Sequence, residues 1–160
     1  MKNDHAIRTL GELIDINREG EEEYRICARR ASDASVRRLF IVRARQCADA
    51  AQELRRLVRQ LGGGQGVGTA GTAQRNRADP QDAQARDDDA LLEECERGED
   101  RALEIYRNAL DDQHLPDFVR QVVLRQFESV MSSRDRIRGL RVRHARPGSA
   151  ARDRHTAMRR

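Results

Sequence analysis

Apolar residues recur along this chain at alternating spacings of three and four, in four separate blocks. In the first block Ile7, Leu10, Ile14, Asn17, Glu21, Tyr24 and Ala28 share one helical stripe, widened by Leu13. Phe40, Ala44, Cys47, Ala51, Leu54, Leu57 and Leu61 form the second. Leu92, Cys95, Glu99, Ala102, Tyr106 and Ala109 form the third, and Val119, Val123, Gln126, Val130, Ser133, Ile137 and Leu140 the fourth. The stripes predict helices over about 4–30, 33–61, 89–110 and 117–142. Punctuation agrees with these bounds. Asn3 or Asp4 can cap the first helix, and Ser32 or Asp33 the second. Glycines at 62–64 supply the left-handed end of the second. Asp87 to Asp89 place negative charge at the start of the third, and Pro116 suits the first turn of the fourth.

The connections then set the architecture. Two helix pairs each have a short link, whereas residues 62–88 are too many for a hairpin between antiparallel helices. This stretch holds six glycines before Thr72, followed by QRNRADPQDAQARDDD, a flexible half and a solvated half. It predicts a crossover running the length of an all-α bundle. GGGQGVG within it superficially suggests a phosphate loop, but it lacks the Gly-Lys-Ser/Thr ending and follows a helix rather than a strand.

Composition sharpens the picture modestly. With 160 residues, 38% hydrophobic, 36% charged, 3% aromatic and no Trp, the chain suits one surface-rich helical domain better than a β-sandwich. Lys2 is its one lysine, which reads as genome composition before function. From Arg141 onward seven arginines face one acid, a net of +6 against +4 for the whole chain, so the first 140 residues carry −2. Residues 143–160 therefore read as a basic, disordered tail, with phosphate binding as the alternative. Cys27, Cys47 and Cys95 lack CxxC spacing and fall on apolar stripes, as buried thiols of a reducing compartment would. MKNDHAIRTL has no sustained apolar run, and no segment approaches membrane-spanning length, so the expectation is a soluble cytoplasmic protein with no membrane partner.

The stripes are not wholly apolar. Asn17 and Glu21 interrupt the first and Glu99 the third, and a buried charge needs a partner: a metal, an arginine or a proton. The first and third helices also echo each other. Leu13-Ile14 precedes Gly20-Glu21 by seven residues, as Leu91-Leu92 precedes Gly98-Glu99, and a tyrosine follows each glutamate. Gly20 should admit a neighbouring helix closely, at about 1 kcal/mol of helix propensity. Two such pairs joined by a long crossover describe a ferritin-like four-helix bundle.

The stretch LLEECERGEDRALEIYRNAL, with LPDFVRQVVLRQF, RDRIRGL, EGEEEY and RLFIVRARQCADAAQELRRLVRQLGG, resembles a bacterial family of ferritin-like proteins of unknown function. Its members are small four-helix bundles related to the rubrerythrin and bacterioferritin superfamily. The resemblance covers about residues 5–142 and is strongest over the third helix. Where members carry an extra helical segment with aromatic and histidine positions, this chain has AGTAQRNRADPQ.

A ferritin-like di-iron centre needs a carboxylate from each of two helices and a Glu-x-x-His pair from each of the others. Glu21 (or its neighbour Glu22) and Glu99 are the carboxylates available for a metal. The second helix offers Arg43, Arg45, Gln46 and Asp49; the fourth offers Gln126, Glu128, Ser133 and Arg134. His5, His114, His144 and His155 lie near the termini or in a turn. Arg134 stands where the resembling family tends to show histidine, and a guanidinium stays protonated. The interior is therefore expected to be a polar network of Asn17, Glu21, Tyr24, Gln46, Glu99, Tyr106, Gln126 and Arg134, without metal, cofactor or catalytic residues. Each tyrosine is expected to bond a buried glutamate. The reading that follows is a non-catalytic bundle with a structural or interaction role, the resemblance alone adding stress response. Because bundles of this kind often pair through helix faces, a homodimer is the expected assembly. The alternatives are a metal-binding member using Glu21, Glu22 and Glu99, and a nucleic-acid-associated protein using the arginine tail.

Overall fold

The computed structural model of the chain describes residues 3–64 and 87–145. Four helices account for nearly all of them: α1 (Asp4–Arg30), α2 (Ala34–Gln60), α3 (Asp88–Leu110) and α4 (Asp117–Ala145). The architecture is an all-α four-helix bundle. Each helix forms for reasons visible in its own sequence, and seven of the eight helix ends lie within a residue of the expected positions. The fourth helix continues three residues past Val142.

Asp33 caps α2, accepting from the backbone N–H groups of Ser35 at 2.7 Å and Val36 at 3.2 Å. Asp87 caps α3 by accepting from Ala90 at 3.0 Å. At the end of α2, Gly62 takes φ +90° and the Gly63 N–H returns to the Val58 carbonyl at 2.8 Å, closing the helix with the left-handed glycine expected there. Asn3 departs from expectation. It occupies the N-cap position of α1 without capping, and its amide donates instead to the Leu61 carbonyl at 3.2 Å. A carbonyl left over at the C-terminus of α2 thus takes the side chain that α1 could have used.

Two sets of contacts give the helix directions. The start of α1 meets the end of α2 through Asn3 and Leu61, and His5 pairs with Asp112 after α3 at 3.0 Å. At the other end, Asp88 accepts from the backbone N–H of Ser32 at 2.8 Å and of Asp33 at 2.7 Å, joining the first turn of α3 to the corner between α1 and α2. Hence α1 runs up, α2 and α3 run down, and α4 runs up. Side by side stand α1 with α2, α3 with α4, α1 with α3, and α2 with α4; α2 and α3 face each other across the diagonal. Gln60 and Asp88 lie at opposite ends, separated by about 40 Å of helix length. The expected crossover between them falls largely outside the described residues, as does the arginine tail from residue 146.

The core divides in two. A lower cluster gathers Leu10, Leu13, Ile14, Leu54, Leu57, Leu103, Tyr106, Val119 and Val123. An upper one gathers Tyr24, Cys27, Phe40, Cys47, Leu91, Leu92, Cys95 and Ile137. Between them, at the waist, the buried side chains include Asn17, Arg43, Glu99 and Ser133. Among the described residues no helix is long and apolar enough to cross a membrane.

Candidate functional site

Arg43 and Glu99 occupy the waist. Arg43 projects from α2 because it shares a face with Phe40 and Cys47, at spacings of three and four, both of which are buried. Glu99 projects from α3 between the buried Cys95 and Ala102. The guanidinium Nε lies 3.1 Å from Glu99 Oε2, and Nη2 lies 3.4 Å from Oε1, a two-pronged pair spanning the bundle diagonal. Arg43 is 5% and Glu99 4% exposed. Burial works against the arginine charge, yet Cys47, Glu99 and Tyr24 together hold its pKa above the ordinary value. The guanidinium carbon also stands 6.0 Å from the Tyr24 ring centroid.

Around this pair lies a pocket of about 20 Å³, room for one water. Its walls include Asn17, Gly20, Glu23, Tyr24, Cys47, Cys95 and Gly98. Both glycines mark close helix approaches. A Cβ at Gly20 would sit 3.2 Å from Cys47 Sγ, and one at Gly98 would sit 3.3 Å from Glu23 Oε2. Burial raises the Glu23 carboxyl to about 7, helped by the neighbouring charges of Glu94, Glu99 and Glu19 and opposed by Arg101. Burial likewise pushes the Cys47 thiol up to about 12 and the Tyr24 hydroxyl well above its usual value.

From Asn17 at the waist downward, a second polar chain visits every helix. Asn17 of α1 donates to Tyr106 Oη of α3 at 2.8 Å; that hydroxyl donates to Gln126 Oε1 of α4 at 2.8 Å; Gln126 Nε2 donates to Glu53 Oε1 of α2 at 2.8 Å. The hydrogen bonds hold these buried groups at low cost and define the register of three neighbouring helix pairs.

Asn17, Tyr24, Glu99, Tyr106 and Gln126 are thus buried, in two groups: Tyr24 and Glu99 beside Arg43, the other three in the lower chain. The remaining expectations need correction. Glu21 lies at the margin and pairs with Arg25 one turn on at 3.1 Å, because the seam of α1 passes through Gly20, against α2. Gln46 is exposed and reaches only the rim of the site, accepting from Arg43 at 3.3 Å. Arg134 stays on the flank with Asp100. Neither tyrosine bonds a glutamate: Tyr106 uses Asn17 and Gln126, and the Tyr24 hydroxyl has no hydrogen-bond partner among the described residues. Glu22 is half-buried.

Arg43, Glu23 and Glu53 were the residues missed as members. The spacing of Arg43 from Phe40 and Cys47, and of Glu23 from Cys27, could have pointed to the first two.

These donors do not fit a di-metal centre. Among the described residues no three His, Cys, Asp or Glu side chains gather to hold a metal ion, and the central carboxylate faces a permanent cation. What the fold and site define is a four-helix bundle whose waist is closed by a buried ion pair. Residues 5–112, which take in α2, α3 and all but the first residue of α1, match a protein family described as a domain of unknown function (DUF2383), and the chain belongs to that family. No curated protein matches the chain.

Proposed function

We propose that the protein is a non-catalytic, ferritin-like bundle with a structural or interaction role, in which an ion pair takes the place of a metal centre. Support for the ferritin-like relationship comes from the helix directions. An up-down-down-up order with α2 and α3 parallel requires one connection the length of the bundle, the arrangement that ferritin-like folds share. Fold-level analogy does not carry activity, which has to be argued from the site. The single observation behind the non-catalytic reading is the Arg43–Glu99 pair across the diagonal. A guanidinium cannot ligate, and its charge repels a divalent cation from the central carboxylate. An interaction role draws on the outer faces of α2 and α4, which leave Ile41, Val42, Phe118, Leu124 and Val142 about half exposed.

Elemental analysis tests the proposal. The full chain, produced with iron and manganese in the medium, should carry less than stoichiometric amounts of either. The Glu99→Ala variant should carry the same. Stoichiometric metal in the parent that disappears in Glu99→Ala would overturn the reading.

A further inference from the structure

Two thiols touch in the upper core. Cys95 S–H donates to Cys27 Sγ across 3.6 Å. Cys27 lies in the last turns of α1 and Cys95 in the second turn of α3, and these antiparallel helices stand side by side. Exposures of 4% and 1% leave neither sulfur free to swing into solvent, and Tyr24, Ala28, Phe40 and Leu92 pack in the same cluster. A disulfide needs its sulfurs about 2.05 Å apart, so closing the gap takes about 1.5 Å of combined sulfur movement.

The pair also has a side of approach. Cys95 is part of the wall of the waist pocket, which has room for one water, and Cys27 is not among its walls. Cys47 shares that pocket from α2, packed against Gly20. An oxidised Cys95 would therefore have a second thiol already in contact.

We propose that Cys27 and Cys95 are a disulfide-forming modification site, which ties α1 to α3 when the protein meets a hydroperoxide. The Cys95 sulfur attacks the O–O bond of ROOH and keeps one oxygen as a sulfenic acid. The other oxygen leaves as ROH with the thiol proton. The Cys27 sulfur then attacks the sulfenic sulfur; the S–S bond forms, the S–O bond breaks, and water departs with the Cys27 proton. Two thiols are oxidised by two electrons and one peroxide bond is reduced. The hydrogen bond to Cys27 and burial both hold the Cys95 thiol protonated, so cross-linking proceeds more slowly than for an exposed thiol and accrues under sustained exposure. Once formed, the link joins residues 68 apart in sequence and restricts the unfolded chain.

Hydrogen peroxide treatment of the folded full chain provides the test, followed by alkylation in denaturant, intact mass and peptide mapping. The expected product has lost two hydrogens, carries one alkyl group, on Cys47, and yields a Cys27–Cys95 linked peptide. Dithiothreitol should reverse it, and its non-reducing Tm should be higher by about 5–10 °C. Cys47→Ser should form the same link. Three alkylated cysteines, a link through Cys47, links only between molecules, or sulfinic acid on Cys95 beside a free Cys27 would each overturn the proposal. Trapping of a Cys95 sulfenic acid with dimedone in Cys27→Ser supports the order of steps; should that variant fail to fold, the map of the parent chain decides.

Discussion

Arg43 on α2 and Glu99 on α3 meet across the bundle diagonal, with both side chains almost wholly out of water and their charges 3.1 Å apart. Removing either partner strands the other. Arg43→Met should destabilise the fold by about 3–5 kcal/mol, because a buried carboxylate is left without its partner. Replacing both, as Arg43→Met with Glu99→Leu, should recover most of that loss, since desolvating two charges offsets much of their attraction. Urea melts of the singles and the double give the coupling; a double variant as unstable as the sum of the singles would contradict this account.

Tyr106 links two helices beyond its own through one hydroxyl. Tyr106→Phe keeps the ring but removes the acceptor of Asn17 and the donor to Gln126. The expected cost is about 1–3 kcal/mol, the range for buried polar groups deprived of a partner. Chemical denaturation checks it, and amide exchange should quicken near Asn17 and Gln126 before it does in the upper cluster.

Glu23 makes stability depend on pH. Its carboxyl titrates at about 7 in the fold against 4.5 in an open chain. Below 4.5 it is protonated in both states and has no effect. Between 4.5 and 7 the unfolded state releases the proton first, so stability falls as pH rises, and the full penalty is present by pH 8. It should amount to about 1–3 kcal/mol. Glu23→Gln should therefore be more stable than the parent at pH 8 and similar at pH 4. Parallel stability–pH curves for the two proteins would show that Glu23 is not the group responsible.

Asp88 fastens the start of α3 to the corner between α1 and α2 through two backbone N–H groups. Asp88→Ala leaves both donors without that acceptor and removes negative charge from a helix start. A loss of about 2–3 kcal/mol is expected. Exchange at Ser32 and Asp33 should accelerate in the variant, while the Asn3–Leu61 end of the bundle remains protected.

Most of the fold was legible in the chain because helices announce themselves locally. Alternating spacings of three and four, Asp33 and Asp87 at the caps and Gly62 after α2 all act within a few residues of where they stand. The seam of α4 from Val119 to Ile137 is buried position for position. The polar members were harder. Of three consecutive carboxylates, Glu21, Glu22 and Glu23, the heptad count favours Glu21. The close fit of Gly20 against Cys47 turns the helix so that Glu23 is the one facing Gly98 of α3. Arg43 sits one residue before a seam alanine, a place where an arginine can equally well point to solvent.

By itself, the sequence determined the number of helices, nearly all of their ends, and most of the stripe that each turns inward, since periodicity, caps and breakers are properties of neighbouring residues. It also left a carboxylate in the third seam that required a partner. Only the tertiary structure decided which partner that is. Arg43 and Glu99 are 56 residues apart and sit on helices related only through the diagonal. Their meeting depends on the common direction of α2 and α3, on how closely Gly20 and Gly98 let helices approach, and on the free energy of leaving a charge alone in a dry interior.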